Sequence, residues 1–390
     1  MKEEDYYLKV NEMQSFLKNL KEEDMIRLGY LKKALITSAN FKKYLPDINA
    51  SEYFGLVKDV YFYDQLAALE QHFFFLLDKI QIIDNDDYLN QMSSESFIIS
   101  TYHTGSYRLI IPLLLKLQKK IIIVTEERFI VEQSKEILSL QLKLNDYYNL
   151  PNSSGLEIYS AQDPSLFFKL RHKLNEGFSV IFYIDGNTGI FEHEIGDNKL
   201  LNISFLNDFI NARKGISYLS LLTKRKILSI ISKKDDVFYN SVQIKLVNTD
   251  FSLPKDEFIR DVTKKIYRVL EDFLKKNLCQ WEGWFYIHKF GHKESSNTPA
   301  KTKVLVKDIV GKYYKFNDHD YKLVNLIDKY YIICYKDHAF TEINLLIYNL
   351  LSIFKDRKRI SRALLFKEGN PISFKVIKEL VNLNYLVNEN

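Results

Sequence analysis

The sequence predicts an α/β protein with a mainly parallel sheet flanked by helices, an N-terminal helical region and a small C-terminal winged-helix domain. Three observations lead there. From Ser96 onward, short β-rich runs alternate with longer helical patterns. Several of those runs are continuously apolar, as strands buried on both faces of a sheet must be. The texture then changes after a polar, nonperiodic stretch, GHKESSNTPAKT at 291–302.

Residues 1–95 read mostly as helices, with apolar residues three to four apart through 61–83 and few β-branched clusters. SFIIST at 96–101 is the first strand, followed by RLIIPLLLKLQ as a helix, KIIIVT as a strand and ERFIVEQSKEILSLQLKL as a helix. A helix around 165–175 passes through Glu176 and Gly177 into the apolar strand FSVIFYID. The next pass has a helix near 212–222 and the strand KILSIIS. These elements place the α/β domain at 96–290. Beyond the linker, at 303–390, YKLVNLI and KYYIICYK form a hairpin, and TEINLLIYNLLSIF, RKRISRALLF and SFKVIKELVNLNYLV form three helix-like segments. Two strands and three short helices suit a winged-helix module.

Composition narrows the function classes. A chain of 390 residues, 46% hydrophobic and 27% charged with 13 Gly and 7 Pro, excludes collagen, linker and wholesale disorder. Two cysteines, Cys279 and Cys334, exclude a disulfide framework and a four-cysteine zinc site. No apolar run approaches the roughly 18 residues a spanning helix needs, and the opening MKEEDYYLKV is too polar for a signal peptide. The expected location is cytoplasmic, with peripheral contact at the inner face of a membrane left open. Net charge is +5, and residues 291–390 carry 17 Lys plus Arg against 11 Asp plus Glu. A basic segment of this kind suits nucleic acid, anionic lipid, or an acidic protein or peptide.

Among chemistry-bearing residues, His103 in SFIISTYHTGSYRL lies just past an apolar strand and just before an apolar helix. Thr104, Gly105 and Ser106 supply helix-start signals, so the helix dipole is expected to lower the imidazole pKa and keep it neutral, as a general base requires. Asp185 follows the strand FSVIFYID and precedes Gly186, at a carboxyl strand end where open α/β sheets place ligands. The same residue type also serves as a plain turn former. The eight histidines show no paired metal-ligand spacing, and P-loop, G-x-G-x-x-G and G-x-S-x-G patterns are absent.

Four segments, strand-His-helix at His103, EGFSVIFYIDGNTG, FLNDFINARKGISYLSLLTKRKILSII and WEGWFYIHKF, resemble in order the successive blocks of the lysophospholipid acyltransferase superfamily. The branch they resemble most is the bacterial lipid A lauroyl and myristoyl acyltransferase type, across about residues 95–291. The resemblance implies a base at His103 that deprotonates an acceptor hydroxyl or amine for attack on an acyl thioester. Acyl-CoA or an acyl carrier protein would be the co-substrate, with no bound cofactor and no metal. The family places an acid five positions after the His, where this chain has Arg108, and a guanidinium cannot accept an imidazole proton. Glu126, Glu127 and Asp185 each follow a predicted strand and are the candidates to replace it, with Asp185 the catalytic expectation. Tyr107 and Arg108 are expected at the substrate, as is Arg213 just before Gly215, where an Arg fork suits an anionic head group. WEGWFYIHKF is expected as an aromatic-rich strand ending in His288 and Lys289.

The C-terminal segment, YYIICYKDHAFTEINLLIYNLLSIF through IKELVNLNYLV, resembles the small peptide-binding winged-helix domains of the PqqD type, which implies capture of a precursor or carrier peptide, favoured when acidic. RKRISR, from Arg357 to Arg362, is also what a phosphate-contacting helix would look like, although nucleic acid is the less natural partner beside an acyltransferase-like domain. The expected function is therefore acyl transfer to a peptide or other amine or hydroxyl acceptor in ribosomal peptide maturation. Two alternatives stay open: a noncatalytic peptide- or partner-binding protein on the same scaffold, and a peripheral lipid acyltransferase.

Overall fold

The computed structural model describes residues 3–21, 24, 30–151, 155–186, 200–290, 313–326, 329–335, 340–356 and 374–389. The chain divides into two compact units, residues 1–21 with 44–291, and residues 22–43 with 292–390. The N-terminal helical stretch is thus shared between them.

In the first unit, α1 (Glu3–Asn19) and, after α2 (Leu31–Tyr44) of the other unit, α3 (Tyr53–Glu70) precede a seven-stranded sheet. Its strands are β1 (Gln81–Ile83), β2 (Ile98–Thr101), β3 (Ile121–Thr125), β4 (Leu156–Ser160), β5 (Ser179–Tyr183), β8 (Ile227–Asp236) and β9 (Tyr239–Val247), in the spatial order β1-β9-β8-β2-β5-β3-β4. Strands β2, β3, β4, β5 and β8 are parallel, while β9 runs antiparallel to β8 and parallel to β1. The fold is therefore α/β with a mainly parallel central sheet.

Burial explains why these segments are strands. Ile98, Ile99, Val180, Ile181, Ile227 and Leu228 have no exposed surface, and β-branched side chains suit a sheet covered on both faces. Helices α4 (Tyr88–Gln91), α5 (Ile110–Lys116), α6 (Glu127–Tyr148), α7 (Leu166–Asn175), α8 (Gly215–Thr223) and α9 (Lys255–Leu274) complete the unit. In α9, Phe258, Val262, Ile266, Leu270 and Phe273 are buried at spacings of three and four, so one stripe faces the sheet. Tyr102 on β2's extension donates to Ile266 O at 2.7 Å, and Tyr267 donates to Ile184 O at 3.0 Å. Those two bonds tie α9 beneath the carboxyl ends of β2 and β5.

Two expectations need correction. The helix near 212–222 starts only at Gly215, because Ala212 and Arg213 end β7 (Asp208–Arg213), which pairs with β6 (Leu200–Phe205) in an antiparallel hairpin. WEGWFYIHKF is no strand. It forms 3-10 turns at Glu282–Phe285 and Ile287–Lys289, since its aromatic residues pack inward in succession instead of alternating.

The second unit contains α2, strands β10 (Tyr313–Phe316), β11 (Tyr321–Leu326), β12 (Lys329–Cys334), β13 (Phe340–Ile343) and β14 (Leu386–Glu389), with α10 (Leu345–Asp356) and α11 (Phe374–Asn382). Strands β11, β12 and β13 form an antiparallel sheet that contains the expected hairpin, and β10 pairs with β14. Phe316, Ile332, Leu351, Phe354 and Leu386 lie in its core, and Leu31 and Leu35 of α2 pack on Val324 and Ile333. The linker at 291–302 and the basic RKRISR run lie outside the described residues. Among the described residues, no helix is long and apolar enough to cross a membrane.

Candidate active site

Register builds the centre of the site. Thr101 of β2 is paired with Tyr183 of β5 in parallel. Two residues further along each chain come His103 and Asp185. Side chains two apart on an extended chain share a face, and neighbouring strands lie about 4.8 Å apart, so the imidazole and the carboxylate meet. His103 Nδ1 is 2.8 Å from Asp185 Oδ1. The backbone N–H of His103 donates to the same carboxylate at 2.9 and 3.2 Å. Trp281 Nε1–H donates to Oδ2 at 2.7 Å. Asp185, 3% exposed, is thus an acceptor clamped by three N–H groups, and it orients the ring with Nδ1 protonated and Nε2 left as the basic atom. Among the described residues Nε2 has no hydrogen-bond partner.

The imidazole is not governed by a helix terminus. A 3-10 turn at Tyr107–Leu109 intervenes before α5, and Ser106 makes no capping bond. Burial is the largest influence on His103 and opposes protonation, but the Asp185 charge and hydrogen bond, with Glu282 beyond, outweigh it. The pKa therefore lies above its ordinary value, the reverse of the dipole expectation. Glu126 and Glu127 sit at the start of α6, where Glu127 N–H donates to Gln162 Oε1 at 2.9 Å; neither hydrogen-bonds His103.

An aromatic and acidic wall surrounds this pair. Tyr107 and Tyr286 stand edge-on to His103 at 4.7 and 6.4 Å between ring centroids, and Tyr183 is tilted against it at 4.8 Å. Tyr107 donates to Glu282 Oε2 at 2.6 Å. Arg108 places its guanidinium 5.4 Å from the Tyr107 ring and Nη1 3.4 Å from Gln71 Oε1, with Tyr107, Glu282 and Asp64 acting on its charge. Tyr107 thus packs directly on His103, and Arg108 packs on Tyr107. Arg213 ends β7; its side chain has exposed surface, yet burial around the guanidinium lowers its pKa, with the charges of Tyr267 and Glu126 opposing. Gly215 opens α8, with open space where a Cβ would sit. Neither of these two hydrogen-bonds His103 or Asp185. Cys279 offers no ready nucleophile, since burial, with Asp59 nearby, pushes its thiol up to about 12.

The segment carrying Trp281, Glu282 and Tyr286 is docked on the His103 turn by main-chain bonds. Gly105 N–H donates to Gln280 O at 2.8 Å and Glu282 N–H to His103 O at 3.0 Å. Gly105 has φ +50°, and a Cβ there would lie 2.8 Å from Ser232 O, so only glycine lets the turn lie against β8. A Cβ on Gly283 would lie 2.1 Å from the Trp281 indole. The Gln280 carboxamide brackets Lys234, accepting from its N–H at 2.8 Å and donating to its carbonyl at 2.9 Å. Lys234 Nζ in turn lies 2.7 Å from Glu70 Oε1, both side chains at most 1% exposed. Tyr6 donates to Glu70 at 2.6 Å, and Ser106 bonds both Glu70 and Asn240. Such a buried ion pair adds little net stability by itself, but it requires all its partners in place, and here those partners include the turn that holds His103.

Among the described residues, the buried polar atoms on or beside the His103 turn without a hydrogen-bond partner include Oγ1 of Thr101 and of Thr104, Nε of Arg108, Oγ of Ser232 and Oη of Tyr286. Each such group typically costs about 1–3 kcal/mol. Sequence reasoning did not find Trp281, Glu282, Tyr183 or Tyr286 as site residues, because nothing local marks a side chain that meets His103 only after folding. Among the described residues no group of three or more His, Cys, Asp or Glu is placed to hold a metal ion. Comparison of the chain with protein-family models finds no match, and neither does comparison with curated proteins.

Proposed function

We propose that the first unit is an acyl-transfer enzyme in which His103 is the general base and Asp185 its orienting acid. The observation that carries the reading is the 2.8 Å contact between His103 Nδ1 and Asp185, with Nε2 left without a partner. Asp185 stands in for the acid that the resemblance to lysophospholipid acyltransferases leads one to look for at Arg108. Nε2 takes the proton from an acceptor hydroxyl or amine as it attacks the carbonyl of an acyl thioester, and returns it to the leaving thiolate. The donor is a co-substrate, acyl-CoA or acyl carrier protein, and not a resident cofactor.

The second unit, in this reading, is a winged-helix module of PqqD type that binds an acidic segment of a precursor or carrier peptide, so that the modification belongs to ribosomal peptide maturation in the cytoplasm. Its antiparallel sheet, the helices α10 and α11 that follow it and the basic balance of residues 291–390 support this. The test is to incubate purified protein with acyl thioesters and candidate acidic peptides, following thiol release and peptide mass. His103→Ala should lower turnover about 10²- to 10⁴-fold while the protein stays folded. Unchanged turnover in that variant would remove His103 from the chemistry.

A further inference from the structure

A base serves an acceptor only if the acceptor's atoms can reach it. Nδ1 of His103 faces the buried carboxylate of Asp185, yet the side chain keeps 17% of its surface exposed. That surface belongs to the ring edge turned away from Asp185, where Nε2 has no hydrogen-bond partner among the described residues. Whatever stands beside this edge decides what can approach Nε2.

Gly186 stands there. It follows Asp185 directly and is partly exposed. A Cβ built on it would lie 3.7 Å from His103 Cε1, the ring carbon bonded to Nε2. Among the described residues the only other atom within 4 Å of that Cβ is Tyr183 O, at 3.5 Å. Both distances are ordinary contacts, so packing does not demand a glycine. Neither does the backbone. Among the described residues the glycines with positive φ are Gly105 and Gly177, and Gly186 has a conformation open to any L residue. Gly105 and Gly283 differ sharply, since a Cβ on them would meet neighbours at 2.8 and 2.1 Å. A glycine that neither φ nor packing requires gives up folding stability through the freedom of the unfolded chain. What it leaves in the folded protein is open space against the base.

We propose that Gly186 is a specificity-determining residue of the transfer: the space left by its missing side chain holds the carbon skeleton of the acceptor while the acceptor's hydroxyl or amine reaches His103 Nε2. This role rests on the acyl-transfer reading above. Water needs no such space, so the opening favours an acceptor that brings a chain with its nucleophile, as a peptide side chain or amino terminus does.

The test uses the full chain with Gly186→Ala and Gly186→Leu. Diethyl pyrocarbonate, which places an ethoxycarbonyl group on an accessible imidazole nitrogen, reads access to His103 by peptide mapping. An acyl-coenzyme A with acidic peptides as acceptors reads acyl peptide formed against thiol released. Modification of His103 should slow from wild type to Gly186→Ala to Gly186→Leu. The ratio of acyl peptide to free thiol should fall about tenfold or more in Gly186→Leu and by less in Gly186→Ala, whose thermal midpoint should hold or rise. A Gly186→Leu protein that is modified at His103 and acylates peptide as wild type does overturns the role and leaves His103 and Asp185 in place. A fall of several degrees in the Gly186→Ala midpoint also overturns it, since packing then demands the glycine. So does a wild-type protein that releases thiol but passes the acyl group to water alone. If the wild-type chain releases no thiol, the acyl-transfer reading fails and this role with it.

Discussion

Replacing Asp185 by Asn separates the carboxylate's electrostatic and orienting roles from its structural one. Asp185 accepts from His103 N–H, His103 Nδ1–H and Trp281 Nε1–H. An Asn can keep all three contacts in one arrangement. Its carbonyl takes Oδ2's place and accepts from Trp281 and the His103 backbone, while its NH₂ donates to Nδ1. That forces the His103 proton onto Nε2, so the atom facing substrate can no longer accept one. Folding should therefore survive, with turnover down about 10²- to 10⁴-fold. Asp185→Ala removes every acceptor and strands at least two buried donors, at about 1–3 kcal/mol each, so it should destabilise by about 2–6 kcal/mol. The assays are thiol release from acyl thioesters, urea unfolding of both variants, and nitrogen-15 NMR of the His103 ring. An Asp185→Asn protein that keeps the proton on Nδ1, or keeps wild-type turnover, would refute this account of the pair.

The pH dependence follows from the upward shift of His103. A base must be neutral, so turnover should rise with pH through a midpoint above the ordinary 6.5, and Asp185→Asn should move that limb downward in pH. Stability runs the other way: the imidazolium–carboxylate contribution is fully present below about pH 6.5, the unfolded value, and is lost as pH rises through the folded midpoint. Urea titrations of wild type and His103→Gln across that window check the sign. Gly283→Ala must displace the Trp281 indole, which a Cβ would meet at 2.1 Å, and so breaks its bond to Asp185. A midpoint lowered by several degrees, together with loss of thiol release, is expected on thermal scans and turnover assays; an unperturbed variant would mean that Trp281 does not depend on Gly283.

Hydrophobic periodicity alone was enough to place β2, β3, β5, β8 and the helices between them, because a strand buried on both faces is apolar throughout and an amphipathic helix repeats every three to four residues. His103 and Asp185 were also legible one at a time, as polar residues at the carboxyl ends of apolar strands. Their pairing was not. It depends on β2 and β5 being neighbours in a given register, a contact between residues 82 apart in sequence that no local pattern encodes. Strands β1, β4 and β9 and the β6–β7 hairpin escaped for a related reason: short or half-exposed strands carry too little apolar signal against the helical segments beside them. Arg108 reads from sequence as a broken catalytic pair; only tertiary structure supplies a carboxylate from another strand and sets the arginine over the Tyr107 ring and against Gln71. Residue type and strand end decided which groups can do chemistry, while sheet register and the docking of residues 278–290 on the His103 turn decided which of them meet.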